Sequence, residues 1–485
     1  MLKYSDYVNI TIPDGEIMFV LEKSKEKKKP LYVSLYEQMK HLIAEGKYEE
    51  GQKLPSKRKL GQSLKISALT VDAAYQQLIA EGYVYSVEKS GFFVSKRVEL
   101  IQKTTKEQGM LMKSEQKDIE SFLYQFQTNV VDTSLFPNAT WAKLSREVLS
   151  ENRHEMLNMT HTQGMEPLRR EIAKYLELYR GVKVELNQIV IGSGSSSLIG
   201  IIIELLGRTK RYAMEDPGYS KVYHLFKGND VDLSLIPLDE YGISISNLIE
   251  SKAEIVHITP SHQFPSGIVM PIQRRSELLN WAALSNDRYI IEDDYDSEFR
   301  FQGKPIPALQ GLDSNDKVIY MNTFTKTLAP SFRMSYIVLP KKLLPKYQQL
   351  SSYHGCTVPN FEQYILYKFM NGGYFERHLN RMKNQYREKI EIILNTIKPY
   401  PEIQLKGYET GLHFLMEVHT DLSEGELVQK AFKNKISVTG LSAYIRNQQV
   451  NHQIPTLVIG YSGIPTKEVG EAVELLILSW GLEKK

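Results

Sequence analysis

Hydrophobic residues recur in three different rhythms along the chain. Tyr32, Leu35, Tyr36, Met39 and Ile43 fall at helical spacing, which predicts a first helix with one apolar face, closed by Gly46 and Gly51. Pro55 precedes Ser56, whose side chain suits the cap of a short helix opening with Lys57, Arg58 and Lys59. After a turn at 63–66, Ser67 can cap a third helix that turns Val71, Ala74, Leu78 and Ile79 inward. YVYSVEKSGFFV then alternates on both sides of Lys89, Ser90 and Gly91, predicting a hairpin with a basic tip. Residues 98–125 are rich in lysine and glutamate and sustain no apolar face, the texture of a linker. From 126 to 485 the rhythm changes again. QIVIG, RYAME, AEIVHIT, YIIED and KVIYMNTF are short apolar runs separated by helix-length amphipathic stretches. That alternation predicts an α/β domain with a largely parallel sheet.

The organisation is therefore a small module at 31–97, a linker at 98–125 and a large domain at 126–485. Charge narrows what the module can do. Lys plus Arg (60) exceed Asp plus Glu (57) by only three over the whole chain, so no general cationic surface coats nucleic acid or membrane. The module alone holds 10 basic and 7 acidic residues, matching that whole excess, so any DNA binding is local. The single cysteine, Cys356, excludes an internal disulfide and any multi-cysteine metal site. It is either a buried structural thiol or a reactive one. No metal site is expected. The amino terminus lacks an export signal, and no uncharged apolar run reaches about 18 residues, so a cytoplasmic location is expected.

Lys57, Arg58 and Lys59 sit in a helix's first turn, where the macrodipole disfavours cations; contact with phosphates or bases gives them a reason to be there. Two helices joined by a three- or four-residue turn form a helix-turn-helix, which presents the start of the second helix to the major groove. The candidate DNA contacts are Ser56, Lys57, Arg58, Ser67, Thr70 and, at the wing, Lys89 and Gly91. A structural or partner-binding winged domain is the alternative.

In the large domain the chemistry lies in four separate segments. Lys326 follows the strand KVIYMNTF within NTFTKTLAPSFR, flanked by Thr323 and Thr325 and followed by Arg333. A lysine at a strand's carboxyl end can form a Schiff base, and hydroxyls with an arginine suit a phosphate dianion. Together they suggest pyridoxal 5'-phosphate. RYIIEDDYDSEF ends a buried strand in Asp293, placed to keep a pyridinium nitrogen protonated, with Tyr295 placed to reach the cofactor's phenolic oxygen. IVIGSGSSSLIG runs from strand into helix through Gly192 and Ser193. Gly194, Ser195 and Ser196 follow there as a cup for an anion at the helix start. MEDPGYSKVY places Tyr219 on a Pro-Gly turn, where its ring can stack on a pyridine. A Walker motif and a complete G-x-G-x-x-G are both absent.

These segments carry a resemblance. The stretch from LYVSLYEQ to SGFFV, with LPSKR, TVDAAYQQL and EGY inside it, resembles the winged-helix domain of GntR-type bacterial repressors. Residues 130–485, with THTQGMEPLRREIAKYLELYRGV, TPSHQFPSG, EDDYDSEF and TFTKTL in order, resemble a fold-type I aminotransferase. Joined, they resemble the MocR subfamily, most closely regulators of the GabR type that sense γ-aminobutyrate through pyridoxal phosphate. The resemblance implies Lys326 as the Schiff-base lysine, Asp293 and Tyr295 as ring partners, and Tyr219 as the stacking residue. It makes Thr323, Thr325 and Arg333 phosphate ligands. It also implies a head-to-tail homodimer, promoter DNA as a partner and a small amine or amino acid as effector, with a working aminotransferase as the alternative. Three departures matter. Ala68 stands where the family usually has an arginine at the start of the recognition helix. Lys221 replaces an arginine two residues after the stacking tyrosine, and Ala443 replaces the carboxylate-clamping arginine, leaving Arg446 three residues away as a substitute.

Overall fold

The computed structural model describes residues 8–12, 15–19, 30–96, 122–151, 153–301, 303, 306–352, 355–447 and 454–485. The stretch read as linker lies outside the described residues up to 121. The chain divides into two compact units, Met1–Gln116 and Lys117–Lys485.

In the first unit, helices Leu31–Ala44, Lys57–Leu64 and Ala68–Ala80 precede the antiparallel hairpin Val84–Val87 and Gly91–Val94. The apolar spacing read from the sequence becomes its core: Leu35, Met39 and Ile43 pack with Leu60, Leu64, Val71, Ala74 and Leu78. Each such side chain contributes about 1.5–3 kcal/mol when fully buried. Tyr32 differs from the expectation and is exposed, while Tyr75 is fully buried and donates its hydroxyl to the Pro55 carbonyl at 2.9 Å. Ser56 and Ser67 cap the second and third helices by accepting from the Lys59 and Thr70 amides. Lys65 turns the chain between them in the left-handed region, φ 53°. A Cβ at Gly61 would stand 3.0 Å from the Ile66 carbonyl, so a glycine lets the two helices approach this closely.

The second unit is built on an eight-stranded sheet among the described residues. Its five central strands, Val318–Thr323, Tyr289–Asp293, Ile255–Ile258, Arg211–Asp216 and Asp232–Asp239, are parallel. Beyond Val318–Thr323 the strand Ser335–Val338 runs antiparallel and carries Ile189–Gly192 at the edge. The four inner strands Val318–Thr323, Tyr289–Asp293, Ile255–Ile258 and Arg211–Asp216 are buried almost throughout, with apolar clusters on both faces, while Asp232–Asp239 is largely half-buried. A smaller antiparallel sheet orders Ile403–Lys406, His413–Val418, Thr456–Gly460 and Thr439–Gly440. Tyr124 and Gln125, from the end of the stretch read as linker, pair in parallel with Ile436 and Ser437. The helix Tyr374–Ile397 joins the two sheets: Phe375 packs in the core against the large one, and Met382, Tyr386, Ile390 and Ile393 in the core around the small one. Among the described residues no helix is long and apolar enough to cross a membrane.

Candidate functional site

At the carboxyl ends of the parallel strands lies a cavity of about 350 Å³, the edge at which open α/β sheets bind ligands. Lys326, in the turn after Val318–Thr323, is buried there, and its Nζ donates to the Thr128 carbonyl. Burial pushes its pKa down to about 8, against the opposing pull of Asp296. Around it the structure gathers residues from four distant segments. Asp293 ends its strand inside the cavity, buried, with one oxygen 3.4 Å from His257 Nε2. Tyr295 lines the wall and donates its hydroxyl to the His262 carbonyl at 2.9 Å. Burial and the neighbouring carboxylates hold that phenol well above its usual range. Tyr219 caps the helix Ser220–Gly228, and its ring meets Phe264 edge-on at 5.2 Å.

Hydroxyls and a guanidinium share the same cavity. Thr323, Thr325, Ser195, Ser196 and Arg333 all line it. The Thr323 and Thr325 hydroxyls lie 2.7 Å apart, and Ser335 donates to Thr323 at 2.9 Å. Ser195 and Ser196 open the helix Ser195–Leu206, whose first-turn amides have no partner within the helix. Gly194 does not line the cavity but shapes it. At φ 90° it lets the Arg333 guanidinium lie over the loop, 2.5 Å from where a Cβ would stand. This donor set fits a phosphate dianion at a helix start.

Several lining residues have no local signature in the sequence. Thr128, Asn129, Thr259 and Phe264 line the cavity, and Ile199, Val222, Leu225 and Pro330 make part of it apolar. Asn129 reaches the Tyr219 hydroxyl at 3.4 Å. Their only prior signal was position just after a strand or inside TPSHQFPSG. Among the described residues, His262, Asp296 and His413 form one buried group with the residue types and spacing of metal ligands. Cys356 is half-buried, and burial raises its thiol's pKa.

On the small unit the candidate DNA contacts cluster on the two capped helices and the wing. Arg58 is exposed, with no ion pair among the described residues. Lys57 is engaged, 2.5 Å from Asp72. Ser67 and Thr70 share a hydrogen bond of 2.8 Å at the start of the third helix. Lys89 sits at the wing tip with φ 59°, and Gly91 starts the returning strand at φ 123°.

Residues 31–94 match the bacterial regulatory proteins of the gntR family, and residues 124–472 match aminotransferase class I and II. YdeL of Bacillus subtilis strain 168, an HTH-type transcriptional regulator, is 36% identical over 93% of this chain and 97% of its own. MocR of Rhizobium meliloti, a probable rhizopine catabolism regulatory protein, is 28% identical over 95% of each. The chain belongs to the MocR family of transcriptional regulators. The fold of its large domain is that of kynurenine aminotransferase from Pyrococcus horikoshii, with a TM-score of 0.66 at 23% identity over 75% of this chain and 91% of that one.

In this MocR-type regulator Lys221 and Arg446, the two residues expected to hold an effector carboxylate, and Ala443, where the clamping arginine is missing, stand in different settings. Lys221 lines the cavity from the first turn of Ser220–Gly228. Arg446 does not line it: its guanidinium donates to Ser220 Oγ at 2.9 Å and lies over the Tyr223 ring at 5.4 Å. Its own backbone amide is fixed by Asp216 at 2.9 Å. Ala443 lines a separate surface depression with Glu424 and Ser442. In this structure the Arg446 guanidinium is therefore engaged by Ser220 and Tyr223, next to Tyr219 and Lys221 of the cavity wall rather than in it.

Proposed function

We propose that this regulator holds pyridoxal 5'-phosphate on Lys326, receives an amine-bearing effector beside it, and changes its occupancy of promoter DNA in response, without sustained catalytic turnover. The observation that carries the reading is a buried lysine with a depressed pKa in one cavity with the buried Asp293, the hydroxyls of Ser195, Ser196, Thr323 and Thr325, the Arg333 guanidinium and an aromatic wall. Bound there, the cofactor supplies an aldehyde for amines and an electron-withdrawing ring. The chain's own groups suit it. Lys326, with its pKa lowered to about 8, offers an unprotonated amine at a lower pH than an ordinary lysine. Asp293 would hold a proton on the ring nitrogen of a bound cofactor. Ser195, Ser196, Thr323, Thr325 and Arg333 would donate to the phosphate, Tyr295 would turn its hydroxyl from the His262 carbonyl to the phenolic oxygen, and Tyr219 would cover the ring.

The effector side is less equipped with charge. Among the described residues Lys221 is the cation lining the cavity besides Lys326 and Arg333, so an effector carboxylate would meet one ammonium rather than a second guanidinium fork. Productive transamination needs that carboxylate fixed as well as the amine. We therefore expect weaker γ-aminobutyrate binding than in GabR-type regulators, and a small amine, a dipeptide with a free amino group or pyridoxal phosphate itself as a better effector. The reading includes a cytoplasmic head-to-tail homodimer on promoter DNA, with Ser56, Lys57, Arg58, Ser67, Thr70, Lys89 and Gly91 facing the duplex. A working aminotransferase is the second reading, favoured by the presence of Lys326, Asp293 and Tyr295 in one cavity. Titrating the cofactor-loaded protein with amines, beside a steady-state assay with a keto-acid acceptor and a promoter gel shift, separates the two. Saturable amine binding that alters DNA affinity without turnover supports the sensor; multiple turnovers support the enzyme.

A further inference from the structure

The His262–Asp296 pair lies beside the cavity without lining it. His262 is almost fully buried, and its Nδ1 stands 2.9 and 3.2 Å from the two oxygens of Asp296. The same nitrogen is 3.2 Å from the Tyr295 hydroxyl, which also lies 2.9 Å from the His262 carbonyl. His262 Nε2 is buried with no hydrogen-bond partner. Of the two neutral tautomers, only the one protonated at Nδ1 suits this setting. The other would turn a lone pair toward a carboxylate and bury an orphan N–H, a cost of about 1–3 kcal/mol for the unsatisfied group alone. The pair is enclosed from several sides. Leu412 N–H donates to Asp296 at 3.2 Å, and the His413 ring lies 4.6 Å from His262. A Cβ on Gly411 would fall 2.0 Å from the His262 ring and 2.6 Å from Asp296.

We propose that Asp296 and His262 are positioning residues for Tyr295: Asp296 fixes the Nδ1–H form of His262, whose one N–H points chiefly at the carboxylate and presents the tyrosine hydroxyl with no acceptor at that nitrogen. The tyrosine's own proton is left for the His262 carbonyl or for an acceptor in the cavity. This deepens the cofactor reading above and rests on it for the identity of that acceptor, the cofactor's phenolic oxygen. Phenol and imidazole then act as one unit, in which Asp296 fixes the imidazole proton and thereby denies the phenol's proton a place on Nδ1. Replacing Asp296 by Asn keeps the shape but supplies a donor, so His262 turns its lone pair toward Tyr295 and captures its proton.

The test has two arms on the full-length protein. In the cofactor-free protein, NMR of ¹⁵N-labelled histidine should find His262 protonated at Nδ1, and switched to Nε2 in Asp296→Asn. In the second arm, absorbance titration with pyridoxal phosphate compares wild type, Asp296→Asn, Tyr295→Phe and the double variant. Asp296→Asn should weaken binding about tenfold, shift the pH midpoint of the visible band in the same direction as Tyr295→Phe, and add nothing in the double variant. A wild-type His262 protonated at Nε2 overturns the proposal whether or not cofactor binds. So do independent, additive losses, an unmoved pH midpoint, or a stoichiometric metal held by His262, Asp296 and His413. Absence of pyridoxal phosphate binding in the wild type instead overturns the cofactor reading, and the tautomer arm still decides the His262–Asp296 claim.

Discussion

Arg58, Lys59, Lys65 and Lys89 stand exposed on the amino-terminal unit with no ion-pair partner among the described residues, while Lys326, Asp293 and Tyr295 in the large unit are enclosed by partners from distant segments. The small unit keeps its chemistry on the surface of a minimal core, ready for a polyanion. The large unit shifts the properties of its groups by burial, as the lowered Lys326 pKa illustrates. A surface site tolerates single changes and loses affinity in steps; an enclosed one couples each residue to its neighbours.

Glycines give the widest contrast. Gly411→Val combines a positive φ of 75° with a Cβ 2.0 Å from His262. Strain of about 1–3 kcal/mol adds to overpacking of similar size. Gly82→Ala, at φ 77° with nothing within 4 Å, costs only the backbone part, about 1–2 kcal/mol. Denaturant melts of the full chain, with hydrogen exchange to locate each loss, should rank them in that order and in different units. Equal losses would break the comparison.

Next in size, Asp293→Asn should weaken pyridoxal phosphate binding by about 1.5–3 kcal/mol, roughly ten- to a hundredfold, by absorbance titration. It should leave DNA affinity of the cofactor-free protein unchanged. In the small unit, Arg58→Ala should cost about 1–3 kcal/mol on promoter DNA if it reads a base edge. Lys89→Ala should cost less and lower the salt slope by about one. Unchanged binding for Arg58→Ala in gel-shift titrations would move the DNA face elsewhere.

The smallest effect is one of pH. With the Lys326 pKa lowered to about 8 from 10.5, attachment of pyridoxal phosphate should speed up with pH and level off above about 8. Because the unfolded lysine holds its proton up to 10.5, this group's contribution to stability rises with pH between those values. Stopped-flow absorbance at pH values bracketing 8 checks it, and a midpoint near the ordinary lysine value would mean that Lys326 is solvated.

Much of both units was legible because their signals are local. Helical spacing from Leu35 to Ile43 and the apolar runs at 189–192, 211–216 and 318–323 need no distant partner to be read. Ser335–Val338 was not separable, being four residues that pair antiparallel inside an otherwise parallel core. Thr128 meets Lys326 from 198 positions away, and His262 meets Asp296 across 34, so no window of sequence contains either contact. Arg446 meets Ser220 from 226 positions away, so that contact could not be read from the residues around it either.

The most direct measurement is borohydride reduction of the full-length protein after incubation with pyridoxal phosphate, followed by peptide mapping. The account predicts one stable label per chain, on Lys326 in the peptide TFTKTL, and none in Lys326→Ala. A label on another lysine, or no visible absorption band and no label at all, would contradict it.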